Sequence, residues 1–173
     1  MYITPSDVDR ILPHRKGECE MKRLLLMVSI ITFVLGATSC GIQTRQDKVL
    51  SSLGKCDSKQ VWTHGEFQDY TDFGKYFYAS VSIDQNNYFQ KVTSTDTETI
   101  CSFIDNFEDW IDTFRNNDPK DELVLNYSFD RSIIDTEDFF YIYEGENYPQ
   151  FGCYDVWFFD SQTKILYYFH NNI

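Results

Sequence analysis

The stretch TDTETICSFIDNFEDWIDTFRN, residues 95–116, carries the clearest structural pattern in the chain. Its apolar side chains recur every three or four residues: Ile100, Phe103, Ile104, Phe107, Ile111 and Phe114. Four acidic residues fall on the other side: Asp105, Glu108, Asp109 and Asp112. This spacing predicts an amphipathic α-helix over 96–116 with one buried face. Thr95, followed by Glu98, predicts a capping box at the start of the helix, and Pro119 marks its end.

Four segments with the composition of β-strands follow this helix. They span residues 123–129, 139–143, 154–159 and 165–170. The first alternates between apolar and polar residues, whereas the other three are apolar or aromatic on both sides. The connections between them are short, and short connections require antiparallel neighbours.

The segment before the long helix is less regular. Phe67, Tyr70 and Phe73 are three residues apart, which predicts a short amphipathic helix over 66–75. A strand is predicted over 76–83. The expected fold is α+β: an antiparallel β-meander of four or five strands packed against one long amphipathic helix, with a short N-terminal helix.

The stretch MKRLLLMVSIITFVLGATSC, residues 21–40, has a different character. Two positive residues at 22–23 precede an almost wholly apolar run at 24–37, and small residues lead into Cys40. The run is shorter than the roughly 20 apolar residues that a membrane span needs. The pattern therefore predicts a secretory signal peptide over 21–39.

Cys40, placed directly after small residues, resembles the lipobox of bacterial lipoproteins. The resemblance implies that the Cys40 sulfur carries a diacylglyceryl group and that the chain is cut just before it. Ala37 departs from the pattern, in which leucine is commonest. Ala37 and Ser39 also suit an ordinary signal peptidase cutting at the same bond. The mature part resembles small uncharacterised exported lipoproteins in general style.

The chain divides into four parts. Residues 1–20 are interpreted as an upstream extension from a misassigned start, with Met21 as the true start; a genuine polar leader is the alternative. The signal peptide covers 21–39, and a lipidated cysteine with a polar tether covers 40–60, with room for one short helix around 47–53. Residues 61–173 form a single α+β domain, which is large enough for a core of its own.

Acidic residues dominate the mature chain. The whole chain has a net charge of −12, and removal of residues 1–39, which hold five basic and four acidic residues, makes it −13. Such a surface repels phosphate backbones, so nucleic-acid binding is not expected. The acidic balance also argues against adsorption on anionic lipids.

Cysteine usage allows little covalent structure. The mature part holds Cys40, Cys56, Cys101 and Cys153. If Cys40 is acylated, the other three permit at most one disulfide, by any of three pairings. No zinc-binding spacing is present, and neither metal nor cofactor is expected.

No motif marks a catalytic site. His64 and His170 are far apart in sequence and are interpreted as structural. The acidic residues between Asp130 and Asp138 lack the spacing of a calcium loop and are interpreted as turn residues. The chain is therefore not expected to be an enzyme.

Aromatic residues are abundant in the last three strands. Most of them should form core, because aromatic residues suit strands. A minority could form an exposed platform that stacks on sugar rings or contacts a protein. The candidate binding residues are Tyr141, Tyr143, Tyr154, Trp157 and Tyr167.

The expected function is that of a membrane-anchored extracytoplasmic lipoprotein whose domain binds a protein partner, as an inhibitor or immunity protein does. The alternative is a carbohydrate- or solute-binding lipoprotein, and a hydrolase of unknown type is third. Lipid on Cys40 would hold the protein at the cell membrane or outer membrane, and without lipid it would be secreted. The oligomeric state stays open.

Overall fold

The structure is a computed structural model, and it describes residues 44–66, 69–145 and 152–172. The predicted upstream extension, the signal peptide and Cys40 lie outside the described residues. Arg45–Ile173 form one compact unit. No helix in the described part of the chain is both long enough and apolar enough to cross a membrane.

In the part of the chain that the structure describes, six strands form a single sheet in the order β1-β2-β6-β5-β4-β3, and every neighbouring pair is antiparallel. The strands are β1 (Ser58–Glu66), β2 (Asp69–Phe77), β3 (Gln90–Lys91), β4 (Phe139–Glu144), β5 (Cys153–Asp160) and β6 (Ile165–Asn172). Strands β3 to β6 follow one another as a meander, and the β1–β2 hairpin joins it through β2 and β6.

Within the described residues, three α-helices accompany the sheet: α1 (Arg45–Ser52), α2 (Asp96–Asn117) and α3 (Glu122–Asn126). Single 3-10 turns lie at Ile83–Gln85 and Arg131–Ile133. The α+β class is confirmed. The strand number is six, not four or five, because the β1–β2 hairpin and the short β3 were not predicted.

The sheet buries side chains on both faces. On the face covered by α2 and α3, called here the helix face, Phe107 contacts Phe73 and Phe169. On the opposite face, Val49 of α1 packs with Trp157 and Tyr168. All six apolar residues in the predicted stripe of the long helix are buried.

The helix predicted over 66–75 is wrong, because this segment contributes to the hairpin of β1 and β2. Phe73 packs on the helix face, while Asp72 and Tyr76 lie on the opposite face. A spacing of three residues fits a helix, but the alternation along β2 fits the sheet equally well. The strand predicted over 76–83 is also wrong beyond Phe77, where β2 ends.

The strand predicted over 123–129 is wrong as well, since its first half is helix α3. The Asp121 carboxylate accepts hydrogen bonds from the backbone N–H groups of Leu123 (2.8 Å) and Val124 (3.3 Å). This is an N-cap, and Leu123 and Val124 are both buried, which a one-sided strand would not allow. The cap was present in the sequence and was missed.

Two further details differ from the sequence prediction. Thr95 makes no side-chain cap; instead, the Asp96 carboxylate accepts hydrogen bonds from the Thr93 N–H (2.9 Å) and hydroxyl (2.6 Å). The described part of the predicted tether, residues 44–60, is folded, since it holds α1 and the start of β1.

Candidate functional site

The five predicted binding residues do not converge, because strand alternation divides them between the two faces. Tyr154 and Tyr167 lie on the helix face, whereas Tyr141, Tyr143 and Trp157 lie on the opposite face. Tyr154 is 1% exposed and Trp157 is 0% exposed. These two residues are therefore core, and they cannot belong to an exposed platform.

Tyr154 and Tyr167 both have internal partners. The Tyr154 hydroxyl donates to the Asn106 side-chain oxygen at 3.2 Å, and burial raises the pKa of this tyrosine. The Tyr167 ring packs edge-on against Phe129, with ring centres 4.9 Å apart. Both residues tie the sheet to the elements that cover its helix face.

Tyr141 and Tyr143 belong to a surface cluster that we call the Arg45 patch: Arg45, Lys48, Tyr88, Tyr141 and Tyr143. The Arg45 guanidinium lies over the Tyr143 ring, 3.0 Å from its centre. The rings of Tyr88 and Tyr141 are 5.4 Å apart and tilted by 56°. Arg45, Lys48, Tyr88 and Tyr141 line a concavity of about 400 Å³. The patch thus joins two cations to three phenol rings.

The composition of the Arg45 patch suits an anionic or aromatic ligand. Arginine and lysine bind carboxylates and phosphates, and an arginine that stacks on a ring loses less freedom when it does so. Sequence reasoning found the two tyrosines of β4. It missed Arg45 and Lys48, because they lie in a segment interpreted as tether, and Tyr88, because it lies between predicted elements.

A second cluster is a row of side chains across three strands on the opposite face. Asp72 of β2 stands beside His170 of β6, which stands beside Asp155 of β5. Nδ1 of His170 lies 2.7 Å from Oδ1 of Asp155, which also accepts a hydrogen bond from the Tyr168 hydroxyl at 2.8 Å. A carboxylate can only accept, so Nδ1 carries the hydrogen.

The Asp72–His170–Asp155 row is buried. The side chains of His170 and Asp155 are each 10% exposed. Nε2 of His170 and Oδ1 of Asp72 have no hydrogen-bond partner among the described residues. Burial is the main cause of the raised pKa of Asp72, which Thr63 and His170 partly oppose.

The row does not have the access that a catalytic site needs. A general base has to reach the substrate proton, directly or through one water.

Burial and the nearby Asp155 charge raise the pKa of the Cys153 thiol, which disfavours the reactive thiolate. Cys56, Cys101 and Cys153 are all free thiols.

His64 has a structural role. Its Nδ1 lies 2.9 Å from the Asp121 carboxylate, and its ring stacks on Phe114 with centres 3.8 Å apart. Since Asp121 also caps α3, this contact ties strand β1 to both helices of the helix face. Within the described residues, no group of three or more His, Cys, Asp or Glu side chains could hold a metal ion.

The acidic residues between Asp130 and Asp138 serve the backbone. Asp130 accepts a hydrogen bond from the Ser132 N–H at 2.9 Å. The two oxygens of Asp138 accept from the N–H groups of Asp135 (2.9 Å) and Ser161 (2.8 Å). These carboxylates act as turn caps, because each accepts a hydrogen bond from a backbone N–H group of the loop.

The third feature is the open edge of the sheet at β1. Its nine residues pair only with β2, and among the described residues no other backbone group bonds to them. Three large apolar side chains are exposed in the described part of the chain: Val61 (40%), Phe77 (38%) and Leu125 (66%). Val61 belongs to β1 itself, and strand alternation places it on the face opposite to that of Phe77. Phe77 ends β2 beside Ser58, and Leu125 belongs to α3, which packs against β1.

No known protein family, curated protein or solved structure matches this chain.

Proposed function

We propose that the mature protein is a lipoprotein acylated at Cys40 whose folded domain binds a protein partner, as an inhibitor or immunity protein does. The partner contributes an extended segment that pairs with β1 and continues the sheet. The observation that carries this proposal is the open β1 edge, with Val61 exposed on it and Phe77 and Leu125 exposed on the neighbouring β2 and α3. The acylated anchor is supported by the lipobox-like sequence at 36–40.

An unpaired strand edge is a template for another strand, and many domains bind extended peptides in this way. Proteins that avoid such contacts shorten or cover the edge. The far edge of this sheet is shorter, because β3 has only two residues and pairs with the first two of β4, which leaves four residues of β4 that border no strand on that side among the described residues. Strand β1 has nine residues and is not shortened. This asymmetry favours β1 as the binding edge.

The chemistry beside β1 indicates what the partner segment contains. A groove of about 500 Å³ is lined by Ser58, Lys59, Gln60, Lys75, Phe77 and Ile165. It combines two cations with two apolar side chains, in a chain whose net charge is −12. Burial lowers the pKa of Lys75, and its ammonium donates a hydrogen bond to the Ser128 hydroxyl at 2.7 Å. An extended segment with alternating apolar residues and a carboxylate matches this groove.

A carbohydrate or small solute is the second candidate ligand, and the concavity of the Arg45 patch favours it. Its volume of about 400 Å³ is within the roughly 300–1,000 Å³ typical of ligand sites. Tyr88 and Tyr141 could each stack on a sugar ring. However, the two rings are tilted by 56°, so they do not make one flat platform.

Two measurements test the proposal. The intact mass of the protein from a membrane fraction should show a chain that begins at Cys40 and carries acyl groups; an unmodified, soluble chain would contradict the anchor. Random peptides displayed on phage, selected on the mature domain, should share alternating apolar residues and at least one acid. Sugar binding without peptide selection would favour the second candidate.

Two substitutions that introduce glutamate on β1 test whether this strand is the binding edge. Lys59→Glu with Val61→Glu should weaken binding of the selected peptide at least about tenfold, because both changes place like charge beside its carboxylate. Lys91→Glu with Thr99→Glu makes the same change in charge at two exposed residues away from β1, one of them on the far-edge strand β3, and should leave binding intact. Equal loss in both proteins would mean that total charge, and not the β1 edge, controls binding.

A further inference from the structure

We propose that the Arg45 patch is a membrane-contact site that seats the domain on anionic phospholipid. The cations Arg45 and Lys48 bind lipid phosphates, and the tyrosines beside them lie at the headgroup level. This inference rests on the proposed acylation of Cys40, and it adds a second site to the protein-binding edge at β1.

The position of the patch along the chain is the first argument. Helix α1 begins at Arg45, only five residues after Cys40. An extended chain spans at most about 3.6 Å per residue, so Arg45 can lie no farther than about 18 Å from the lipidated cysteine. Arg45 and Lys48 are therefore the first basic residues that follow the anchor along the chain.

The arrangement of the cations is the second argument. Arg45 and Lys48 are both exposed and are three residues apart on α1, so they project from the same side of the helix. Asp47 lies about 200° around the helix axis from Arg45 and projects elsewhere. The Tyr143 ring orients the Arg45 guanidinium. Each cation near an anionic membrane surface adds to attraction.

The tyrosines are the third argument. Tyr88, Tyr141 and Tyr143 are partly exposed around the two cations. Tyrosine is enriched at the boundary between lipid and water, because its ring is apolar and its hydroxyl is polar. The four residues that line the concavity, Arg45, Lys48, Tyr88 and Tyr141, include no acid that would repel a phosphate.

The net charge of the mature chain opposes this contact, since −13 predicts repulsion from anionic lipid. The anchor changes the balance, because it makes the contact intramolecular at an effective concentration of about millimolar. A weak local attraction is then enough to orient the domain.

Cosedimentation with vesicles tests the patch. The protein is the mature chain, residues 40–173, with Cys40→Ser, so that acyl groups do not drive binding; Arg45–Ile173 form a compact unit of their own. Vesicles rich in phosphatidylglycerol, supplied at about millimolar accessible lipid to match the effective concentration that the anchor would give, should retain this protein. Vesicles of phosphatidylcholine at the same concentration should not retain it, and added salt should release it. Arg45→Glu with Lys48→Glu should lower retention about 30-fold, the loss expected for two cation contacts.

Lys120→Glu with Lys164→Glu is the matched control, because it changes the net charge equally at two exposed residues outside the patch. Circular dichroism of both double variants checks that they are folded. Retention that does not depend on phosphatidylglycerol, or an equal loss in both variants, overturns the proposal. Inorganic phosphate that competes fully at low concentration would assign the patch to a soluble anion and also overturn it.

The vesicle result is separate from the result on the anchor. A mass that lacks acyl groups contradicts the proposed lipoprotein, while the vesicles still report on the patch itself. If the mass shows acyl groups but the patch variant and the control variant are retained equally by vesicles, the proposed anchor stands and only the contact site is overturned.

Discussion

Nδ1 of His170 and Oδ1 of Asp155 lie 2.7 Å apart in the middle of the sheet, on neighbouring strands. The same oxygen accepts a hydrogen bond from the Tyr168 hydroxyl at 2.8 Å. One carboxylate thus satisfies two buried donors, one from an imidazole and one from a phenol. In a low-dielectric interior, losing this acceptor costs more than a single surface contact does.

Asp155→Ala should destabilise the domain by about 1–3 kcal/mol for each of the two donors that it leaves unpaired. Chemical denaturation of the mature domain measures the change. Asp112→Ala is the control, because Asp112 is exposed and pairs only with Arg115 on the helix surface; it should change stability by less than about 0.5 kcal/mol. Similar effects in the two variants would mean that the buried pair contributes little.

Asp72→Asn should alter the pH dependence of stability. The pKa of Asp72 is raised in the folded state above its ordinary value of 3.8, chiefly by burial. The folded state therefore binds more protons than the unfolded state, and stability falls as the pH rises from about 3.8 through the raised pKa. The variant should be more stable than the parent at pH 7 and should lose less stability across this range.

Denaturation curves at several pH values measure this effect. The pKa of Asp138 is also raised by burial, so its ionisation likewise lowers stability as the pH rises. Some pH dependence should therefore persist in the Asp72 variant. Asp109→Asn replaces an exposed carboxylate and should leave the profile unchanged. A profile in which Asp72→Asn matches the parent would show that Asp72 is solvated in solution.

Phe107→Ala should cost roughly 3–5 kcal/mol, because it removes a fully buried ring from the centre of helix α2. That is a large share of the roughly 5–15 kcal/mol typical of a domain. Asp109→Ala, two residues away on the exposed side, should cost less than about 0.5 kcal/mol. Denaturation of both variants tests the orientation of α2, and a larger loss at Asp109 would show that the helix faces another way.

Calcium should not stabilise the domain. The carboxylates of Asp130, Asp135 and Asp138 accept backbone hydrogen bonds, so these oxygens already have partners. Melting temperatures with calcium and with chelator should agree within about a degree, since a ligand that bound only the folded state would raise the transition. A rise of several degrees with calcium would identify an ion site in this loop.

The elements with a clear hydrophobic pattern, the long helix and strands β4 to β6, could be predicted from the sequence. The stripe from Ile100 to Phe114 is consistent over four turns, so it specified both the long helix and its buried face. Strands β4 to β6 were found from their apolar composition. The same composition could not show which tyrosines are exposed. Both faces of β5 are buried, so no alternation of apolar and polar residues distinguishes one face of the strand from the other.

Local patterns misled where two signals competed. Leu123, Val124 and Leu125 fit the start of a strand, but the Asp121 cap makes a helix of them. The Asp72–His170–Asp155 row depends on strand register, which brings together residues up to 98 positions apart. Nothing in a single sequence specifies that register. The available hint of this row was that a histidine and acidic residues lie in strands that are otherwise apolar.

The inequality between the two edges of the sheet also limits how the protein can assemble. Strand β1 can accept another strand, whereas β3, with its two residues, offers almost nothing to extend. Two copies that paired through their β1 strands would both have used this edge. The resulting dimer would expose only the shorter β3 edge of each copy. Assembly through β1 therefore yields a closed pair of molecules and not an open chain of them.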